Sequence, residues 1–127
     1  MKITHKHVAF LALATVTLHC AAQAPERTPV SDARPLLFAA LRSSDGQARG
    51  VLTGDIADAI GKRFSASTPI FVDVSTEKRY AQAGCSRLKL RFWQDGVLLP
   101  GARSPRQQSI EFGINYCLDG LPPKSLR

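Results

Sequence analysis

Apolar and polar residues alternate with a period of two in two segments that each carry a cysteine, 85–93 and 109–117. Such alternation is typical of β-strands that bury one face. If Cys85 faces Cys117 in an antiparallel pair, the numbers of facing residues sum to 202, and three successive pairs on the inner face are apolar. Those pairs are Leu88 with Ile114, Leu90 with Phe112, and Phe92 with Ile110. A shift of one residue would set apolar against polar side chains, so the pattern favours this register.

The same register places the two cysteines side by side, and we expect a structural disulfide between Cys85 and Cys117. On the outer face it places Arg91 opposite Glu111, which is an attractive cross-strand pair. The alternative is a pair of free thiols used for metal or redox chemistry. The chain has no Cys-x-x-Cys motif and no histidine after residue 19, and two isolated cysteines without histidine make a poor zinc site, so the disulfide is favoured.

Helical spacing of apolar residues predicts two helices before these strands. The first begins at Ser31 and is ended by 43–46, and the second covers 53–64. The remaining predicted elements are short strands at 48–52 and 70–74, a loop at 75–84 with a helical turn at 77–80, and a tight hairpin turn at Asp95-Gly96. This order predicts an α+β fold, in which two helices pack on a mainly antiparallel sheet of three to five strands stapled by one disulfide.

The N-terminus has the pattern of a secretory signal peptide, with a basic start, an apolar run and small residues after it. The apolar run, 8–18, is shorter than the roughly 20 residues that a membrane span needs. The predicted organisation is a cleaved signal peptide at 1–22, a leader or linker at 23–30, and a single domain at 31–127 with a proline-containing C-terminal tail. Cleavage after residue 24, lipidation at Cys20 and a short buried helix of a cytosolic domain are the open alternatives.

Removing the predicted signal peptide changes the composition of what remains. All three histidines and Cys20 leave with it, so an odd number of cysteines becomes an even one. This suits an oxidising compartment, and we expect the periplasm of a Gram-negative bacterium with no membrane span in the processed chain. The remainder holds 15 basic and 10 acidic residues, a net charge of +5.

The lack of histidine in the processed chain excludes the Ser-His-Asp and Cys-His arrangements of nucleophilic catalysis. We therefore expect a non-catalytic protein with no cofactor and no metal site. A small hydrolase that uses carboxylates alone is the catalytic alternative, because Asp55 and Asp58 lie one helical turn apart. This alternative ranks last, since carboxylates in the first turn of a helix commonly only stabilise that helix.

Basic residues give the candidate binding surface. The predicted first cysteine strand carries a ladder of cations on its outer face, and further arginines lie in the loop that follows it. The candidate binding residues are Arg87, Lys89, Arg91, Trp93, Arg103 and Arg106. Together they could bind a polyanion or an acidic protein face. The alternative is a solvated sheet face that needs charge only to stay in water.

Two segments, 80–88 and 112–123, together form one pattern. Gly-Cys enters a strand in the first segment, and Asn-Tyr-Cys leaves a strand in the second, before Asp-Gly-x-Pro-Pro. In this the chain resembles small exported proteins encoded near conjugative-transfer genes on proteobacterial plasmids and integrative elements. The resemblance implies a setting in the cell envelope and carries no catalytic residue. We therefore expect an envelope interaction module, accessory to a conjugation or secretion apparatus, with an envelope protein as its partner. The alternative is a periplasmic inhibitor that docks Arg103 and Arg106 into an acidic enzyme cleft.

Overall fold

Two helices and five strands make up the fold of the protein in a computed structural model, which describes residues 21 and 23–127. The elements in chain order are β1 (Thr28–Val30), α1 (Arg34–Arg42), β2 (Gln47–Leu52), α2 (Asp55–Arg63), β3 (Ile70–Arg79), β4 (Cys85–Val97) and β5 (Arg106–Cys117). The strands form one sheet in the order β1-β2-β3-β4-β5, parallel between β1 and β2 and antiparallel elsewhere. The predicted α+β fold class is therefore confirmed. The signal peptide at 1–22, apart from residue 21, and lipidation at Cys20 lie outside the described residues.

The predicted register between the two cysteine strands is confirmed along their shared length. From Cys85 opposite Cys117 to Gln94 opposite Gln108, the numbers of facing residues sum to 202. The two cysteines form the expected disulfide, with their Cα atoms 4.0 Å apart. Arg91 faces Glu111 on the outer face, as the sequence predicts.

The hydrophobic core lies between α1 and the middle of the sheet. Leu36, Leu37, Ala40 and Leu41 of α1 are all buried. They pack on the inner residues of three neighbouring strands, which are Leu52, Ile70, Val72, Val74, Leu88 and Leu90. Full burial of a leucine or valine side chain contributes roughly 1.5–3 kcal/mol, so this layer accounts for most of the hydrophobic stabilisation.

The edge strand β1 corrects the interpretation of 23–30 as a leader. Residues Thr28–Val30 pair in parallel with β2, and Val30 is buried against the core. Helix α1 then begins at Arg34, three residues after the predicted start. Ser31 does not cap it, since the residue before the helix is Ala33. The N–H of Arg34 instead donates a hydrogen bond, at 2.9 Å, to the carboxylate of Asp32, two residues earlier.

Two predicted turns are wrong for the same physical reason, which is that the partner strand continues beside them. The predicted loop with a helical turn at 77–80 belongs largely to β3, which runs to Arg79 because β4 pairs with it there. The predicted hairpin at Asp95-Gly96 lies inside β4, where the register shifts between Gln94 and Val97. Gly96 has a positive φ of 65°, and this conformation serves a β-bulge instead of a chain reversal. The connection to β5 is formed by 98–105.

Helix α2 packs much more lightly than α1. None of its nine residues is buried, and only Ala57 and Ile60 contact the core. It lies where β2 ends and β3 begins, and thus at one end of the sheet. Among the described residues, no helix is long and apolar enough to cross a membrane.

Candidate functional site

An apolar groove opens on the helix-covered face of the sheet, between α2 and the last two strands. Its volume is about 590 Å³, within the range of small-ligand and peptide sites. Its principal walls are Ile56, Ile60 and Phe64 from α2 and the segment after it, and Phe92, Ile110 and Phe112 from β4 and β5. The groove exists because α1 covers only the middle of the sheet and α2 lies at its end.

The exposure of two groove residues departs from the sequence analysis. Ile110 and Phe112 lie on the predicted face of β5 but are 69% and 50% exposed, respectively. On the same face of β4, Leu88 and Leu90 are buried beneath α1. Period-two alternation therefore identifies the apolar face correctly, but it does not show whether a helix covers that face. The ring of Phe92 stacks on Phe112 with centroids 6.0 Å apart, so the exposed residues continue the core surface.

Strand β5 is also an open edge of the sheet, because β4 is its only neighbouring strand within the described part of the chain. The hydrogen bond from the Cys117 N–H to the Leu121 carbonyl, at 3.2 Å, shows which backbone groups face this edge. The Cys117 N–H therefore points away from β4, which means that Cys117 and Cys85 form a non-hydrogen-bonded pair of the ladder. Since such pairs alternate along an antiparallel ladder, the N–H and C=O groups of Ser109, Glu111 and Gly113 also point away from β4. They line the open edge beside the groove.

This edge lacks the features that usually prevent strands from pairing between molecules. Natural edge strands are kept apart by lysine, proline, inward charges, bulges or short length. Strand β5 has 12 residues, and the segment 107–116 contains no lysine or proline and a single charged residue, Glu111. That carboxylate lies on the outer face, 3.5 Å from the Nε of Arg91. The groove side of the edge is therefore apolar and its backbone is accessible.

The predicted cationic ladder does lie together on the outer face of β4, but carboxylates lie between its members. Arg87 is 3.6 Å from Glu77, and Arg91 forms the ion pair with Glu111. Arg87 also extends over Gly113, where a Cβ atom would collide with its guanidinium. Exposed ion pairs contribute little to stability, but they reduce the positive potential of this face. Binding of a polyanion here stays a prediction.

Trp93 takes part in packing on the same outer face. Its indole N–H donates to the Asp73 carboxylate at 2.8 Å, and its ring lies 4.4 Å from that of Phe71. Arg27 forms a 2.8 Å ion pair with Asp73 and lies over the ring of Phe71. We call these four residues the Arg27 cluster. Sequence reasoning missed this cluster, because Arg27 belongs to the segment interpreted as a leader. The pairing of β1 with β2 is what brings Arg27 close to Asp73.

The remaining two candidate residues lie elsewhere, so the six predicted binding residues do not form one site. Arg103 and Arg106 line a small cleft beside Val97 and Leu99, which also line the apolar groove. Arg106 has the same parity in β5 as Gln108 and Ile110 and therefore lies on the groove side of the sheet. Both arginines are exposed. They place positive charge at the end of the groove where β5 begins.

The carboxylates considered for hydrolysis lie in the first turn of α2. Asp55 and Asp58 are both exposed there, in positions that favour the helix dipole. Within residues 21 and 23–127, no three metal-ligating side chains come together. A carboxylate-only hydrolase stays an untested prediction.

Comparison of the chain with protein-family models, with curated proteins and with solved structures finds no match. The interpretation of the site therefore depends on its own geometry. Sequence reasoning identified the apolar face of β5 but not the groove, because alternation does not show that Ile110 and Phe112 are left uncovered by a helix.

Proposed function

We propose that this protein is a non-catalytic binding protein of the Gram-negative periplasm, which holds an envelope protein against its apolar groove and the edge of β5. The observation that carries the proposal is the exposure of Ile110 and Phe112 on an open edge that continues into the groove. Soluble proteins rarely leave a contiguous apolar patch uncovered unless it binds something. The buried disulfide is compatible with an oxidising compartment, and the resemblance to proteins encoded near conjugative-transfer genes supports a role beside a conjugation or secretion apparatus.

The exposed fractions of these two side chains set the scale of the interaction. Full burial of an isoleucine or phenylalanine contributes roughly 1.5–3 kcal/mol. Covering the 69% of Ile110 and the 50% of Phe112 that are exposed should therefore contribute about 2–4 kcal/mol. At about 1.4 kcal/mol for each factor of ten, loss of both contacts should weaken binding by between roughly 30-fold and several hundred-fold.

The experiment is a capture of envelope proteins from the native host on immobilised protein, compared between variants. Wild type should retain a partner that the Phe112→Ser variant loses. The matched control is Leu126→Ser, because Leu126 is similarly exposed, at 55%, but lies in the C-terminal tail. Circular dichroism must show that both variants keep the wild-type fold. The proposal is wrong if no envelope protein is retained by both wild type and Leu126→Ser but lost by Phe112→Ser.

A salt series during the wash separates this function from the inhibitor alternative, which the exposure of Arg103 and Arg106 favours. An inhibitor that inserts these arginines into an acidic cleft should lose its target when both are changed to glutamate. It should also release the target steeply as the salt concentration rises, because screening weakens exposed charge pairs. Its binding should survive Phe112→Ser, whereas partner binding through the groove should not.

A further inference from the structure

We infer that the partner adds an extended segment to β5 as a sixth, antiparallel strand, with alternate apolar side chains over the groove and a carboxylate beside Arg103 and Arg106. This inference rests on the proposed function and specifies the chemistry of the partner. Three independent features of the site lead to it: the backbone groups at the edge, the spacing of the apolar positions and the charge at one end.

The backbone groups at the edge favour a strand over a folded surface. The N–H and C=O groups of Ser109, Glu111 and Gly113 point to the edge, and Ile110 and Phe112 lie between them on the groove side. An apolar surface that covered Ile110 and Phe112 would also remove water from these backbone groups. Each buried backbone group left without a partner costs about 1–3 kcal/mol. An added strand covers the side chains and satisfies the backbone in the same step.

The spacing of the groove favours an alternating segment. Side chains two positions apart on a strand lie about 7 Å apart on one face, which matches the repeat of Gln108, Ile110 and Phe112 along β5. Apolar residues at alternate positions of the segment would therefore lie beside these three and extend the apolar wall that β5 gives to the groove. The carbonyl of Leu121, in the turn after β5, accepts a hydrogen bond from the Cys117 N–H, so the accessible edge ends there. About seven residues of a partner strand can pair before this turn.

Positive charge where β5 begins sets the direction. Arg103 and Arg106 lie there, and the acidic residue that lines the groove, Asp32, is already held by Arg34 in an ion pair of 3.0 Å. A carboxylate on the partner is therefore best placed at the start of β5. In an antiparallel strand, that position is the C-terminal end of the added segment. Antiparallel pairing also continues the arrangement of β2 to β5.

Charge disfavours a second copy of this chain as the occupant. The antiparallel pairing of two β5 strands that places Ile110 opposite Phe112 also places Glu111 opposite Glu111 of the second copy, and facing like charges are destabilising. A register shifted by two residues places Phe112 opposite Phe112 and avoids that contact. In either register, however, two copies that each carry a net charge of +5 over residues 23–127 repel each other. An acidic segment of another protein does not meet this repulsion.

The test uses synthetic peptides of about eight residues, which span roughly 27 Å when extended. In the first, valine and threonine alternate and two glutamates form the C-terminal end; in the second, the glutamates are at the N-terminal end. The first should bind the purified protein at least about tenfold more tightly than the second, measured by fluorescence anisotropy. Changing Arg103 and Arg106 to glutamate should remove this preference, and replacing the glutamates of the peptide by lysine should restore binding to that variant.

Backbone methylation and hydrogen exchange identify the binding mode directly. Methylating the amide nitrogens at one set of alternate positions of the peptide should abolish binding, whereas methylating the other set should change it by less than about threefold, because only one set faces β5. On the protein, the peptide should slow hydrogen exchange at least about tenfold at the N–H groups of Ser109, Glu111 and Gly113. Exchange at Ile110 and Phe112 should change little, since their N–H groups already face β4.

Each other result would overturn the inference in a recognisable way. If both methylated sets bind equally, or no peptide slows exchange at Ser109, Glu111 and Gly113, the partner does not add a strand. The proposed function would still stand if Phe112→Ser abolished capture of the envelope protein. Tighter binding of the N-terminal glutamate peptide would contradict the antiparallel direction. A dimer in analytical ultracentrifugation that Phe112→Ser dissociates would show that the occupant is a second copy.

Discussion

Replacing Cys85 and Cys117 by alanine should lower the free energy of unfolding by about 4–5 kcal/mol. The cysteines are 32 positions apart, so the disulfide closes a loop of about 33 residues in the unfolded chain. In the chain-entropy model this removes roughly 12 cal/mol/K, which corresponds to about 4 kcal/mol at 25 °C. Both cysteines are at least 97% buried, and the space left by the two sulfur atoms adds up to about 1 kcal/mol. A domain of this size has roughly 5–15 kcal/mol in total, so the variant should be only marginally stable.

Urea unfolding, followed by tryptophan fluorescence, is the appropriate measurement. Trp93 is the single tryptophan of the chain, and it lies in β4 against Phe71 and Asp73, so its emission reports on the centre of the sheet. The midpoint should fall, and the slope m should rise because an unfolded chain without the cross-link exposes more surface. Wild-type protein with reduced and alkylated cysteines is unsuitable as a control, since the added groups would disrupt the site. Protein that is reduced in urea with excess dithiothreitol and then refolded under the reductant is the better control, because a buried disulfide resists reduction in the folded state.

The comparison between reduced wild type and the alanine variant separates the two contributions. Reduced wild type should lose about 4 kcal/mol, nearly as much as the variant, because the loss comes mainly from the unfolded state. If reduced wild type keeps its stability while the variant does not, the packing of the sulfur atoms is responsible and the entropic reasoning fails. A loss below about 1 kcal/mol in both, with an unchanged m, would show that the pairing of β4 with β5 needs no covalent support.

Two further predictions concern polar contacts. Asp73→Ala should lower the free energy of unfolding by about 2–3 kcal/mol, because it leaves Arg27 and the Trp93 indole without their half-buried acceptor; a loss below about 0.5 kcal/mol in urea unfolding would contradict this. The side-chain hydrogen bond from Arg34, followed by the bond from its backbone N–H, holds the pKa of Asp32 below 3.8. The ionised carboxylate therefore stabilises the fold above that value and the contribution is lost as the pH falls below it. Arg34→Ala should raise the pKa of Asp32 towards 3.8 in a carbon-13 NMR titration, and an unchanged pKa would show that the backbone N–H alone is responsible.

The pairing of the cysteine strands was predictable because its signal is local and redundant. Leu88, Leu90 and Phe92 have the same parity on one strand as Ile110 and Phe112 on the other, so a single register satisfies all of them. A period of two fixes the face of every residue in both strands. The position of the disulfide follows from the same register, since Cys85 and Cys117 lie on the opposite parity.

The elements that the sequence did not predict depend on distant partners. Strand β1 has only three residues and contains Pro29, so nothing local indicates a strand, and it forms because β2 offers an edge to Val30. The polar end of β3 at 77–79 likewise extends because β4 lies beside it. Gly96 shows the opposite case, in which a strong local turn signal is used for a bulge because β4 continues past it to pair with β5 at Val97. Local propensity predicts secondary structure poorly where pairing with a distant strand competes with it.

The two edges of the sheet differ in a way that bears on function. The edge at β1 is short, contains Pro29, and is held by Arg27 through its bonds to Asp73 and to the Gly50 carbonyl. It therefore offers little backbone to another strand. The edge at β5 is four times as long, and its open stretch carries no lysine or proline. If solubility alone had shaped the molecule, the longer and more apolar edge would need the stronger protection, yet it has the weaker. A partner strand along β5 removes this contradiction, because it would cover Ile110 and Phe112 and pair the exposed backbone at the same time.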